Sequence, residues 1–449
     1  MEIERSYSYC PKCKQGFFPL DLELELLPNT AYTPLLQEGF VRLGAALPFR
    51  QARRHFQYFT GVKASEASLR RMTERAGTMV EEYEEAQVNQ LEEEPSRTDA
   101  VKGLEVAFLS ADGCNVPVVG GEWKEVKTLV IGEVERPVEE KGQVVVRTSG
   151  LSYFSRCLPI EKFKRASIGE VQRRGLEEAR VVCAPCDGAD YLQGLLDFHR
   201  ADAVRILDFP HAAEHVAEAG KTVLGEGSEV FTTWFESQRH LMKHSNGAEI
   251  IGVLEGLRQE MEKVGEVTKL KVVERNLNYL KERREMIRYA HFRELGYPIG
   301  SGATESANKI VVEARLKGAG MHWAEEHLNP MLSLRNLSCN ERWEEDWLIV
   351  QAQWPYEVRR KRYMARKEKQ QAVKPAKTGE EETGVSTTDA TQKAPLAVIS
   401  AVQTEKAPEE VGSKEGKKPW RPGSNHPWRQ AKIGRALYSP NPNFVNAKN

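Results

Sequence analysis

The chain predicts an α/β protein whose mixed sheet is interrupted by a large helical insertion. Three observations carry this. Apolar runs between Leu104 and Phe209 alternate with helical segments in the order strand-strand-strand-helix-strand-helix-strand. From Ala212 to about Tyr289 the chain turns almost wholly helical and strongly charged, a stretch long enough to be a small domain in itself. A further stretch, Gly300 to Trp323, opens on a glycine-rich turn and then places Ala303, Ala307, Ile310, Val311 and Ala314 at helical spacing.

At 449 residues and 50.7 kDa the chain can form two or three domains, each with its own core. Its 64 basic and 65 acidic residues cancel to a net charge of -1, yet basic residues gather locally, as at Arg53-Arg54, Arg70-Arg71 and Arg283-Arg284. Such patches bind polyanions even when the whole molecule is neutral. Every apolar run is far shorter than the ~18–20 residues of a membrane span. The first residues do not form a signal peptide, so a cytoplasmic protein, nucleoid-associated when bound, is expected. Seven cysteines, an odd number, argue for thiols or metal ligands over a disulfide framework.

In order, the chain divides as follows. Residues 1–30 hold Cys10-x-x-Cys13 followed by Gly16, the knuckle of a zinc ribbon without a second ligand pair. A closed structural Zn²⁺ site needs four ligands, so Cys10 and Cys13 form an incomplete one. Residues 31–97 carry three amphipathic segments, Leu35 to Leu47, Phe49 to Phe59 and Ser65 to Met79. Arg70, Arg71 and Arg75 on the third give it the look of a helix-turn-helix recognition helix; a plain helical bundle with solvated arginines is the other reading.

Glu92 to Asp99 is a polar break. The core, 98–345, then supplies strands at Leu104–Leu109, Val126–Val134 and Val144–Val146, a helix over Ile160–Glu178, and a buried strand at Arg180–Cys183. A helix over Tyr191–Phe198 and a strand over Ala203–Phe209 follow, then the insertion at about 212–295. A C-terminal helical stretch with Trp343, Trp347 and Trp354 runs to about 372, and 373–449 reads as a disordered basic tail.

Three acids stand out within this plan. Asp112 falls at the end of the first strand beside Gly113, Asp187 at the C-terminal end of the fourth, and Glu305 in the first turn of the late helix. Negative charge is favoured in a first helical turn. Two adjacent parallel strands would hold the aspartates near each other, and Glu305 would close the group. Three carboxylates in a small volume repel one another by several kcal/mol unless a cation lies between them. Oxygen ligands suit Mg²⁺ or Mn²⁺, and two such ions support in-line displacement at phosphorus. Lys309, Arg315 and Lys317 line the same helix, which suits a polyphosphate.

These residues resemble a bacterial insertion-sequence transposase of the Asp-Asp-Glu type, close to the ISKra group and the Mutator-like superfamily. The resemblance covers about Tyr7 to Arg342. It rests on Ala111-Asp112-Gly113, Cys186-Asp187-Gly188-Ala189, the Ile206 to His215 segment, Gly300 to Ser306, and Arg315 to Trp323. It implies an RNase H-like core with a helical insertion before the catalytic Glu. Asp112, Asp187 and Glu305 would be ligands of two Mg²⁺ (or Mn²⁺) ions, with Asp208 and His211 as supporting residues. Arg70, Arg71, Arg75, Lys309, Arg315, Lys317 and Trp323 are the expected DNA-binding residues. The partners implied are double-stranded element ends and target DNA, bound by a homodimer or larger assembly. A domesticated DNA-binding relative and an RNase H-like nuclease or resolvase are the alternatives.

Neighbouring residues compete for some of these roles. Asp190 reads as an N-cap, and Asp208, at a strand end, can itself ligate metal. Glu313 is placed to pair with Lys309 or Lys317. Cys183 reads as packing in a buried strand. His211 and His215 lack a third ligand, which favours hydrogen bonding over metal. No Walker phosphate loop occurs, so nucleotide hydrolysis is not expected.

Overall fold

The computed structural model describes residues 6–12, 15–20, 32–94, 103–140 and 143–353. Cys13, Trp354 and the tail over 373–449 lie outside the described residues, so Cys10, at the end of a short hairpin strand, is the only described member of the zinc knuckle. No helix among the described residues is long and apolar enough to cross a membrane.

The hairpin pairs β1 (Ser8–Cys10) with β2 (Gln15–Phe17). Three helices follow: α1 (Pro34–Ala46), α2 (Phe49–Thr60) and α3 (Glu66–Glu93). Gly61 at φ 69° ends α2 in the left-handed conformation that glycine adopts freely, and the Ser65 hydroxyl accepts the Ser68 N–H to start α3. The third helix is twice as long as the sequence pattern predicts, because its second half continues with buried Val80 and Val88. There it packs along a helix of the core, and Glu84 takes the Arg156 guanidinium and the Ser333 hydroxyl.

The core sheet consists of β3 (Val106–Pro117), β4 (Trp123–Val134), β7 (Thr148–Arg156), β8 (Val181–Cys186) and β9 (Val204–Leu207), in the spatial order β7-β4-β3-β8-β9. The first three are antiparallel; β8 pairs parallel with β3, and β9 parallel with β8. Alternate residues of β3 serve two different cores. Phe108 and Val116 join the larger one, while Ala107, Leu109 and Ala111 join Phe163, Leu192 and Leu195. The sheet is therefore covered on both faces, the second by α4 (Ile160–Ala166), α5 (Ile168–Arg173) and α6 (Asp190–Arg200).

The third core strand is displaced from its expected position. Val144–Val146 was expected to form it, but β5 (Val138–Glu140) and β6 (Gln143–Val145) make a small separate hairpin, and β7 is the strand at the sheet edge. Its run Ser152-Tyr153-Phe154-Ser155-Arg156 is buried throughout, so no polar alternation marks it. The hydroxyls are satisfied internally: Ser155 bonds Thr128 at 2.8 Å across the sheet. Its outer edge is closed by side-chain amides of α13 (Leu328–Cys339) and the residue that follows. Asn329, Asn336 and Asn340 accept the N–H groups of Cys157, Ser155 and Tyr153 at 2.8, 3.1 and 2.8 Å and donate to the same residues' carbonyls.

The insertion contains α7 (Phe209–Leu224), α8 (Glu229–His244), α9 (Ala248–Val264), α10 (Val267–Glu282) and α11 (Tyr289–Glu294). Then comes α12 (Gly302–Ala307), which widens into a π-helical turn over Asn308–Glu313. The wide turn shifts the buried face: Val311 and Val312 are interior, whereas Ile310, expected inside, is 43% exposed. Such turns occur frequently at functional sites.

Candidate active site

Asp112 does not end its strand. β3 continues to Pro117 in register with β4, and Gly113 pairs with Lys127 rather than turning the chain. What ends near Asp112 is the pairing with β8, which covers only Val106 to Phe108. Beyond it the two strands are joined by the Ser110 hydroxyl donating to the Pro185 carbonyl at 2.6 Å. Asp112 and Asp187 each lie two residues past that link, the first on β3 and the second just after the end of β8.

The two aspartates are each held by their own contacts. Asp112 Oδ1 accepts the Gly113 N–H at 2.7 Å, and Oδ2 accepts the Asn308 side-chain amide at 3.0 Å. Asn308 is buried and lies three residues after Glu305, so the helix of Glu305 is bonded to Asp112; its Oδ1 has no partner among the described residues. Asp187 Oδ1 accepts the Ala189 N–H at 3.0 Å. Asp190, expected to cap α6, is instead its exposed first residue, after Ala189. Glu305 is exposed in the first turn of α12, where the Thr304 and Glu305 amides donate to the Ser301 carbonyl.

Burial raises the Asp112 carboxyl above the usual aspartate range, and the negative charges of Asp187 and Glu305 push the same way, while the Gly113 and Asn308 donors oppose them. The folded protein therefore holds this proton more tightly than the unfolded chain does. That linkage stabilises the fold below the ordinary aspartate pKa of about 4 and is lost as pH rises through the raised folded value. In chelator, Asp112→Asn should melt a few degrees above wild type at neutral pH, with the gap closing on acidification. Parallel melting curves across that range would contradict this.

Among the described residues, no three His, Cys, Asp or Glu side chains stand close enough to hold one metal ion. Asp112 therefore feels the charges of Asp187 and Glu305 without the three closing a coordination shell. As a donor set, three carboxylates and an amide oxygen fit a hard divalent cation.

Asp208 has a different part. It is 5% exposed and caps α7, with Oδ2 accepting the His211 N–H at 3.0 Å and Oδ1 accepting the Ser301 N–H at 2.6 Å. The Asp208 N–H in turn donates to the Cys186 carbonyl at 2.8 Å. One residue thus ties the strand before Asp187, through its backbone N–H, to the turn that launches the Glu305 helix, through its carboxylate. The ring of His211 stacks edge-on against His215, which lies face to face with Tyr279, with centroids 5.1 and 3.9 Å apart. His215 Nδ1 bonds Asn276, and burial lowers its pKa.

Tyr279 and Arg283 stand one turn apart on and just after α10; the sequence marked Arg283 only as half of a basic pair and Tyr279 not at all. The Tyr279 hydroxyl donates to the Asp187 carbonyl at 2.7 Å, and Arg283 donates to the Gly188 carbonyl at 3.0 and 3.2 Å while lying over the tyrosine ring. Gly188 has φ 72°, and a Cβ there would meet Arg283 and Tyr279 at 2.8 and 2.9 Å. The i, i+4 aromatic–arginine pair was the available sequence signal. Tyr279→Phe removes one hydrogen bond and should cost about 1 kcal/mol in thermal or urea unfolding. An unchanged midpoint would mean that the hydroxyl contributes nothing to holding the Asp187 loop.

Two expected DNA contacts are interior. Arg315, 1% exposed, donates to the Gly44 carbonyl at 2.9 Å and lies between the rings of Phe49 and Trp323, 4.7 and 4.8 Å away. Burial and the charge of Arg335 bring its pKa down to about 10. Trp323, 7% exposed, donates its indole N–H to the Leu316 carbonyl. Both are packing residues here, so neither is available to a nucleic acid. Lys309 and Lys317 are exposed, the latter paired with Glu313 at 2.7 Å; Arg70, Arg71 and Arg75 are exposed on α3. Cys183 and Cys186 are both buried, and burial raises the Cys183 thiol to about 12, as expected of packing residues.

No family model matches the chain. It is similar to the UPF0236 protein in vanSb 3′ region of Streptococcus gallolyticus, at 23% identity over 337 residues that span 74% of this chain and 69% of that protein.

Proposed function

We propose that the chain is an insertion-sequence transposase that cleaves element ends and joins the freed 3′-OH to target DNA. The observation that carries this reading is the convergence on Asp112: Asp187 and Glu305 both bear on its charge, and Asn308 bonds it to the Glu305 helix. The sheet order, with three antiparallel strands followed by two parallel ones, supports an RNase H-like core. The ISKra-like assignment rests on the motifs.

In this reading Asp112, Asp187 and Glu305 would hold two Mg²⁺ or Mn²⁺ ions, which when bound would supply charge stabilisation for phosphoryl transfer. The protein's own part is to present the carboxylates from three elements braced against one another. Asn308 orients Asp112, the Tyr279–Arg283 pair holds the loop of Asp187, and Asp208 sets the start of the Glu305 helix. In the first reaction water forms a bond to phosphorus as the bridging 3′ oxygen departs and takes a proton. In the second that 3′-OH forms a new phosphodiester in the target while the target's own 3′ oxygen leaves.

The test is to incubate purified protein with DNA flanking its gene and Mn²⁺, and to map strand breaks. Nicks at the terminal repeats bearing 3′-OH ends are expected. Cleavage confined to branched or hybrid substrates would replace this reading with a nuclease or resolvase, and binding without breakage with a domesticated relative.

A further inference from the structure

The helix α2 carries a surface that none of the expected DNA-binding residues includes. From Gly39 to Ser65 the chain holds no Asp or Glu, yet it holds Arg42, Arg50, Arg53, Arg54 and Lys63. Arg42 pairs with Glu38 and Glu344 and Arg50 with Glu66, so the positive charge of the segment is concentrated in Arg53, Arg54 and Lys63. On α2, Ala52 and Phe56 face the interior, and the opposite stripe exposes Gln51, Arg54, His55, Tyr58 and Phe59. Tyr58 and Phe59 are 83% and 75% exposed, with their rings edge to face and His55 stacked on Phe59. Exposed aromatics among cations suit a duplex, whose phosphates meet the arginines and whose grooves take an apolar side chain.

We infer that this stripe of α2 is a docking surface for double-stranded DNA. The choice of DNA rests on the proposed function; the choice of a polyanion rests on the charge. A second copy of the chain is a poor occupant, because a two-fold contact would set Arg54 and its neighbours against their own like charges. The surface is also rigidly joined to the candidate active site. Phe49, at the start of α2, packs on Trp323 and stacks with Arg315, and Trp323 bonds through its backbone to Pro117 and Val119 at the end of the strand that carries Asp112. DNA bound on α2 is thereby held in a fixed relation to that strand.

The test is fluorescence anisotropy of the full chain with a labelled duplex, in chelator. Arg54→Glu and the double variant Tyr58→Ala, Phe59→Ala should each weaken binding about tenfold, and Arg54→Ala should lower the slope of log affinity against log salt by about 1. Lys263→Glu, an equal charge reversal on the exposed end of α9, should leave affinity unchanged. Circular dichroism verifies that these surface variants fold. No duplex binding by wild type, equal binding by all variants, or dispersal of an oligomer without loss of DNA affinity would each overturn the assignment. Because no metal is present, a chain that binds through α2 but never cleaves would sink the transposase reading and leave this one standing.

Discussion

Asp112→Asn, Asp187→Asn and Glu305→Gln should each reduce Mn²⁺-dependent end cleavage by about 10³-fold or more while duplex affinity stays within about twofold of wild type. The amide variants keep size and shape and remove only charge. If the three carboxylates act as one cation-binding unit, any single loss should cost nearly as much as all three, since residues acting together are strongly non-additive. A triple variant no slower than the singles is therefore part of the expected result. A single variant that cleaves at the wild-type rate would remove that residue from the site, and losses that multiply would mean that the acids act separately. Cleavage assays on a labelled element end, paired with anisotropy on the same duplex, separate chemistry from binding.

The second large effect concerns stability. Asp208→Ala should destabilise the fold by about 3 kcal/mol: roughly 1 for the lost helix cap and about 2 for the charge-assisted bond to the Ser301 amide. Both half-buried donors would lose their acceptor at once, which is why the expected cost exceeds that of a surface cap. Asp208→Asn keeps an oxygen for only one of the two donors and should fall between. Chemical denaturation gives the comparison directly. A loss under about 0.5 kcal/mol, the range of an indifferent surface change, would show that the link between β9 and the Gly300 turn is dispensable. Glu305 should also lose its placement in Asp208→Ala, so cleavage at temperatures where the variant is folded should drop more than DNA affinity does.

Much of this arrangement could be read from residue order, and its failures have physical causes. The apolar runs of β3, β4 and β8 announced themselves because each alternates or forms a short β-branched block. β7 did not, because Ser152 and Ser155 look like turn residues until Thr128 and the asparagines of α13 are in place to bond them. Asp112 looked like a strand end because a glycine follows, yet β3 runs on paired beside β4. The basic spacing of Arg315 suggested a polyphosphate contact; no local pattern shows that Phe49, from a distant helix, and Trp323 enclose it. Asn308, Tyr279 and Arg283 were legible only as ordinary helical residues, since their partners belong to other elements. Asp208 was noticed for its carboxylate, and Pro210 just after it marks a helix start, but its second bond, to Ser301, crosses a whole insertion.

The asparagine row along β7 bears on how copies of this chain can meet. A bare outer strand invites a neighbour to zip on and lengthen the sheet, the usual route to tangled aggregates. Here the outward amides and carbonyls of Tyr153, Ser155 and Cys157 are already taken by side chains of the same molecule. Sheet-to-sheet pairing through β7 is therefore closed, and copies of this chain that meet on that side must do so through other elements.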